Sequence, residues 1–502
     1  MSRSKKAFIN LSTHLLMQGV TAVCGFVVPK VMLETFGSEV NGLVSSISQF
    51  LGIIALMESG FGSVAKAALY KPIAEEDHNA ISGVYNATES FFRKVAIVFL
   101  AYCVVLSLIF PLLAEHGFDY LYTTVLVLIM GINFFVQYFF GVSYTILLNA
   151  DQRSYVSSAL QIAVVILNAI FTVLMLNHKV SIHAVKLMSV CVFSAKPIVI
   201  YLYGTQKYRI NRKYPKDLAS VSQKWDNLGQ SVALYIHSKV PIVYTTLFLN
   251  FKEVSVYSVY ALITSSLSSL ISSISTGFVS GLGNMYAKGE RQAFDRVLSL
   301  YELVNTAASF VLFTVAYILM MPFVKLYTAN LYDVDYLRPL FGTLLILSEL
   351  IYCLRLPYYY VIINAGHFKQ IRNGAYVEMC ISLTFALCLG HLFGITGVAA
   401  AMVVASAFRT IQLVWYCSKE ITKHSPKWAM KRVAVNLVGS LFIVCIFHFV
   451  SHKPDTFFSW LIYAMHCGVT ALLIIGLVNY LLCREDFAVL FRTIKNGVGK
   501  KA

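Results

Sequence analysis

Six cations lie where an apolar chain should not hold them. Lys30, Lys186, Lys196, Lys239, Arg355 and Arg409 all fall inside long runs of mostly uncharged residues. A charge at a bilayer centre costs about 2.5–3.5 kcal/mol on insertion scales, so such residues mark a pathway for ions or substrate unless they snorkel to an interface. The chemistry they offer is electrostatic. An ammonium or guanidinium in a wet cavity replaces part of the hydration shell of an anion, and arginine grips a phosphate through two parallel hydrogen bonds. Lys239 and Arg355 fall near the middle of their runs, with Pro357 two residues on as a source of a kink. Lys30 and Lys186 lie near run ends, where snorkelling is the plainer account. A second set is acidic: Glu58, Glu349 and Glu378. A carboxylate in such a place either takes up an ion during a transport cycle or neutralises a buried cation. Lys66, two turns beyond Glu58, is its expected partner. Glu349 and Arg355 sit more than one turn apart, so nothing requires them to face each other.

Other groups are weaker pointers. Tyr358-Tyr359-Tyr360 is able to stack on sugars, although aromatic runs more often pack helices or mark the interface. Ser265, Ser266, Ser268, Ser269, Ser272, Ser273 and Ser275 cover more than one face of a helix, which suits close helix approach or a wet lining equally. The ten cysteines form no CxxC and no Cys/His cluster of zinc spacing. No cofactor is expected; the acidic set is compatible with proton or sodium coupling.

Long apolar helices are needed to hold these groups. The chain is 58% hydrophobic and only 13% charged, against about 25% charged in soluble proteins. Its mean hydropathy is +0.70 over 502 residues. Runs of bilayer-spanning length, about 20 residues, recur at roughly 8–32, 40–65, 84–114, 120–148, 154–176, 182–204, 227–250, 255–285, 298–326, 338–363, 370–391, 395–418, 433–451 and 457–483. The expected fold is an all-α integral membrane protein with about 14 transmembrane helices. The net charge of +16 does not point to nucleic acid, because the cations concentrate in short loops between apolar runs. With the N-terminus in the cytoplasm, about 29 of the 40 Lys and Arg face that side, and only Lys179, Lys252, Lys325, Arg338 and Lys453 fall outside. The first run is too long for a cleavable signal and lacks a small-residue cleavage site. Both termini are expected to be cytoplasmic.

Two basic loops follow the sixth and twelfth runs. They divide the chain into 1–204, a linker 205–226, 227–418, a loop 419–432, a last pair of helices 433–483, and a basic tail 484–502. Short matches recur between the two larger parts: Glu39-Val40 with Glu253-Val254, Gly60-Phe61 with Gly277-Phe278, Glu89 with Glu302, Ala101-Tyr102 with Ala316-Tyr317, Asn149-Ala150 with Asn364-Ala365, and Lys196 with Arg409. The offsets stay between 213 and 217. Six helices per repeat is an even number, so the repeat is parallel. The expected architecture is two parallel-repeat six-helix bundles around a central cavity, plus two extra helices. Lys196 and Arg409 then occupy equivalent depths, each about 21 Å from the outer end of its helix at 1.5 Å per residue. Two converging cations suit a diphosphate better than one, with snorkelling to the cytoplasmic surface as the competing account.

The stretch VVPKVMLETFGSEVNGLVSSISQFL, followed by ALMESGFGSVAKAAL, resembles the first two helices of Wzx-type polysaccharide or O-antigen repeat-unit flippases of the multidrug/oligosaccharidyl-lipid/polysaccharide exporter superfamily. The matching positions are Lys30, Phe36-Gly37, Gly42 and Glu58-Ser59-Gly60. EVSVYSVYALI from Glu253 and RLPYYYVIINAGHFKQ from Arg355 continue the likeness over nearly the whole chain. The resemblance implies a flippase that carries an undecaprenyl-pyrophosphate-linked oligosaccharide from the cytoplasmic to the periplasmic leaflet of the bacterial inner membrane by alternating access. The partners it implies are the lipid-linked oligosaccharide, membrane lipids, and a glycan polymerase with its chain-length machinery; nucleic acid is not among them. The candidate substrate-binding residues are Lys196, Arg409, Lys239, Arg355 and Lys30, and the candidate ion-coupling residues are Glu58, Glu349 and Glu378.

Two other classes compete. A small-molecule exporter of the same superfamily usually has twelve helices, so the extra pair at 433–483 argues for a lipid-linked cargo. A membrane glycan polymerase or ligase needs a sizeable outer loop with catalytic groups. The longest outer loop here, near Tyr327–Leu337, is about a dozen residues and carries no such constellation, so no enzymatic activity is expected.

Overall fold

The computed structural model describes residues 3–113, 117–218, 224–449 and 454–482, and these contain helices and no strand. The helices are α1 (Arg3–Leu51), α2 (Ala55–Ala74), α3 (His78–Leu113), α4 (Tyr120–Val136), α5 (Val142–Ala150), α6 (Ser154–Asn177), α7 (Ile182–Tyr208), α8 (Lys224–Phe248), α9 (Phe251–Ala287), α10 (Arg291–Tyr327), α11 (Pro339–Leu354), α12 (Leu356–Asn364), α13 (Phe368–Tyr416), α14 (Lys427–Phe449) and α15 (Phe457–Leu482). A 3₁₀ turn, Gly52–Ile54, joins α1 to α2, and π-helical turns occupy Gln137–Gly141 and Cys417–Thr422. Helix is the one secondary structure that satisfies every backbone group within its own segment, which a chain this apolar needs in hydrocarbon. The protein is an all-α membrane protein.

Among the described residues, eleven helical segments are long and apolar enough to cross a bilayer. Two of them, Ser12–Ala74 and Lys369–Thr422, run for 63 and 54 residues. Each is more than twice the length needed for one crossing, and each bends at a glycine. Gly37 has φ 79° and ψ 178°. Gly394 has φ 59° and ψ −139°. A Cβ opposes both backbone conformations. The bends lie between the first and second expected runs and between the eleventh and twelfth. The seventh expected run is α8. At the basic ends the helices outrun the apolar signal: α3 begins at His78 and α10 at Arg291.

The chain divides into two compact units, Met1–Val256 and Tyr257–Ala502. In the first, Leu43, Ile47, Phe61, Phe92, Leu126 and Leu147 build the buried core. In the second, Leu282, Phe294, Tyr301, Ile362 and Leu413 form one cluster. Another joins Phe310 and Val311 of α10 to Ile443 of α14 and to Ala471 and Ile475 of α15. Thr314 and Ser440 share a 2.7 Å hydrogen bond across that contact. Between α14 and α15, the amides of Asn436 and Asn479 bond reciprocally at 2.7 and 3.3 Å, both buried. The other faces of this pair expose Leu441, Phe442, Met465, Leu472 and Leu473, as apolar helices do when lipid is their solvent.

The sequence repeat is also a repeat of backbone turns. Residues with left-handed φ pair as Glu76 with Gly289, Gln152 with Gly366, Lys179 with Gly394, and Arg209 with Lys423. These pairs keep the same near-constant offset that relates the sequence matches. The fourth helix of each repeat is interrupted at matching places as well, by the π turn Gln137–Gly141 and by the break at Arg355.

Candidate functional site

The break at Arg355 places the strongest electrostatic feature of the second unit. Pro357 cannot donate a backbone N–H, so α11 ends at Leu354 and α12 starts at Leu356. Proline then falls in the first turn of α12, where that donor is not needed. The Arg355 side chain reaches α13, where its Nη1 donates to Glu378 Oε1 at 2.5 Å. Arg409, farther along α13 beyond the Gly394 bend, brings its Nε to 3.6 Å from Glu378 Oε2. The Arg355, Glu378 and Arg409 side chains are 4%, 1% and 1% exposed. Arg409 also donates from Nη1 to the carbonyl of Ile371 at 2.9 Å and to Gln412 Oε1 at 2.6 Å. Its Nη2 makes no hydrogen bond among the described residues. The Arg355 guanidinium stacks 4.6 Å from the Tyr352 ring.

Glu349 joins this cluster, because the break in the helix lets it act on Arg355 although the two lie more than a turn apart. Ser268 Oγ, from the serine-rich run of α9, donates to Glu349 Oε2 at 2.5 Å. Two arginines and two glutamates therefore lie in one buried region, and their formal charges cancel. The other serines of the run mostly bond back to their own helix, as Ser269 does to Ser265 and Ser273 to Ser269. Tyr358 is buried in the core, while Tyr359 and Tyr360 are half-buried.

The first unit holds a looser counterpart. Tyr138, in the π turn, donates to Glu58 Oε2 at 3.0 Å. The nearby cation is Lys196. Among the described residues Lys66 makes no ion pair with Glu58, so the expected partner is replaced by a phenol and a lysine from other helices. Lys196 Nζ donates to Gln161 Oε1 of α6 at 2.7 Å. Lys196 and Arg409 thus share a pattern: each is tethered to the helix, or helix limb, that precedes it. They differ in access. Lys196 is half-buried, whereas Arg409 is wholly buried, which closes the snorkelling route to it.

The remaining candidates lie apart from these clusters. Lys239 is half-buried, with Nζ 5.5 Å from the Tyr235 ring. Lys30 lies 3.9 Å from Glu34 one turn on, both side chains about 30% exposed. Lys186 does not snorkel outward; its Nζ turns to Met32 Sδ at 3.6 Å.

Two features escaped the sequence. One is a cavity of about 770 Å³ in the second unit, where the ends of α10 and α14 meet the start of α11 and α15. Met320, Met321, Ile346, Val444, Phe447 and Tyr463 are among its walls. The other is a pair of Glu–Tyr–Arg constellations. Glu89 of α3 pairs with Arg93 one turn on at 3.0 Å and with Arg212 at 3.6 Å; Arg212 donates to Tyr201 Oη at 2.7 Å, and Tyr144 lies beside the two charges. In the second unit Glu302 of α10 pairs with Arg432, and Tyr358 lies beside the two charges. The Glu89–Glu302 match was visible in the sequence; the arginines, outside the constant offset, were not.

No family model matches the chain, and no curated relative does. Its fold is shared with solved transporters. The lipid II flippase MurJ in an inward closed conformation aligns with a TM-score of 0.67 at 14% identity, covering 93% of this chain and 99% of that one. An inward-facing multidrug resistance MATE family transporter of the MOP superfamily aligns with a TM-score of 0.62 at 13% identity, covering 86% and 99%. The eukaryotic MATE transporter AtDTX14 gives 0.60 at 12%, covering 86% and 98%.

Proposed function

We propose that this chain, with the fold of MurJ and the MATE transporters, is a flippase for an undecaprenyl-pyrophosphate-linked oligosaccharide, moving it from the cytoplasmic to the outer leaflet by alternating access. The observation that carries the reading is the cavity of about 770 Å³ that α14 and α15 complete against α10 and α11. Its walls mix apolar side chains such as Met320, Ile346, Val444 and Phe447 with polar ones such as Thr343 and His448, and we read the apolar part as a seat for a polyprenyl tail. The lipid II flippase among the structures that share this fold supports the same class of cargo. In this reading Lys196, Lys239 and Lys30, all half-buried, meet the pyrophosphate head group. Arg355 and Arg409 act mainly through Glu378, holding the bend of α13 against the break at Arg355. Proton or sodium coupling would fall to Glu58, Glu349 or Glu378. No step makes or breaks a covalent bond. The glycan polymerase and its chain-length machinery would receive the cargo on the outer side.

The test is surface glycan in a deletion strain complemented with variants at matched protein level. Lys196→Ala, Arg409→Ala and their double variant should lose export, while Lys196→Arg keeps it. Ile346→Trp, which would fill the cavity, should also reduce export. A deletion strain with normal surface glycan and heightened drug sensitivity would replace this reading with that of a small-molecule exporter, the cargo class of the MATE neighbour.

A further inference from the structure

The two Glu–Tyr–Arg constellations are equivalent within the repeat. Glu89 and Glu302 lie 213 positions apart, and Tyr144 and Tyr358 lie 214 apart. Each arginine lies in the segment beyond the left-handed residue that ends the sixth helix of its repeat, Arg212 three residues after Arg209 and Arg432 nine residues after Lys423, in the second turn of α14. Each glutamate sits near the start of the third helix. In the first unit the segment is strapped down in addition. Asn86 Nδ2 donates to the carbonyls of Asn211 and Tyr214, both at 3.0 Å. The backbone N–H of Asn211 donates to Ser82 Oγ at 3.1 Å, and that of Asp217 to the Gly83 carbonyl at 3.1 Å. In the second unit Arg291 donates to the carbonyls of Ile421 and Thr422, and Arg432 Nη2 donates to Ser299 Oγ at 2.6 Å.

The two anchors differ in burial. Arg212 is 46% exposed, whereas Arg432 is 3% exposed. An exposed ion pair is screened and held weakly. A buried pair opens only by leaving a charge uncompensated. The segments also lead to different places. The first continues toward α8, and the second enters α14, which is pinned to α10 through Ser440 and Ile443.

We propose that Glu89–Arg212 and Glu302–Arg432 are twin positioning sites, and that the first opens and recloses during transport while the second stays shut. They position the segment leaving each sixth helix; neither contacts the cargo. The transport arm of the test rests on the flippase reading, and the exchange arm does not.

The exchange arm is hydrogen–deuterium exchange of the full chain in nanodiscs. The amides of Asn211 and Asp217 should exchange at least about tenfold faster than those of Trp428 and Met430, as labile and stable regions of one fold do. Glu89→Gln should raise the first rates by about a further tenfold and leave the second unchanged. Arg212→Lys should restore protection. In the transport arm, Glu89→Gln and Arg212→Ala should lower export with normal protein levels, and Arg212→Lys should retain it. Arg432→Lys, a milder change than removing Glu302, serves for the second anchor and should leave the exchange of Asn211 and Asp217 untouched. Equal protection of the two segments would overturn the proposal. So would a Glu89→Gln variant that exchanges faster yet exports at the parental rate. Loss of export in every variant without any change in exchange would count against the positioning role and leave the flippase reading intact.

Discussion

At the scale of residues, Glu378 is the position whose loss should be felt most. It is the shared counter-charge of two buried guanidiniums. Removing one partner of a buried pair costs about 3–5 kcal/mol. Glu378→Gln should therefore lower the unfolding temperature markedly in scanning fluorimetry of the detergent-solubilised protein. Replacing the whole set, with Arg355→Met, Glu378→Leu and Arg409→Met together, should recover most of that loss, since apolar residues of similar volume often substitute for a buried ionic set. A Glu378→Gln variant as stable as the parent would mean that Glu349 alone neutralises the region. Every member of the cluster was legible in the sequence as a charge out of place. Their pairing was not. Arg355 and Glu378 belong to different helices, and periodicity reports only neighbours on the same one. The expectation for Glu58 erred for the same reason: Lys66 is close along the chain, whereas Tyr138 and Lys196 are close in space.

At the scale of elements, the terminal helix pair offers the cleanest measurement. Asn436 and Asn479 exchange hydrogen bonds across α14 and α15. Such contacts in membrane helices are worth about 0.6 kcal/mol on average and up to about 1.7. Asn479→Leu should destabilise by an amount in that range in a reversible detergent-unfolding titration. The double change to leucine should cost less than the two single changes summed. Additive losses would show that the two amides do not act on each other. Helix existence was readable here, because a run of twenty apolar residues has few other fates. The break at Arg355 was readable from Pro357. The π turn at Gln137–Gly141 was not, because QYFFG holds no proline, and one glycine is ordinary in a membrane helix. The breaks at Gly37 and Gly394 fall in the gaps between expected runs; that the helix carries on through each glycine as a bend was not readable, since glycine in such a helix signals close packing as readily as a bend.

For the molecule as a whole, the distribution of basic residues predicts an orientation. Cysteine placed at Asn330, in the loop after α10, should react with a membrane-impermeant maleimide in intact cells. Cysteine at Asn496, outside the described residues, should react only after lysis. The opposite pattern would invert the topology and with it the direction of transport proposed above. The repeat was legible as scattered matches at a near-constant offset, and the recurring left-handed turns give it a geometric form. The sequence did not reveal the anchors, because Arg212 sits in a loop and Arg432 in the second turn of α14, 220 positions apart and so outside the constant offset.

Those left-handed turns leave an uneven legacy. In the first unit the four positions carry Glu76, Gln152, Lys179 and Arg209; in the second, three of the four are glycine. A side chain at such a backbone costs roughly 1–2 kcal/mol, so one copy of the repeat still bears a burden that the other has shed. A saturation library sorted by cellular abundance should register the asymmetry. Glycine and asparagine should be enriched at 76, 152 and 179, while nearly every replacement should be depleted at 289, 366 and 394. Grafting the three glycines into the first unit would then be a short route to a hardier protein for biochemical work, gained without touching any of the candidate substrate-binding or ion-coupling residues.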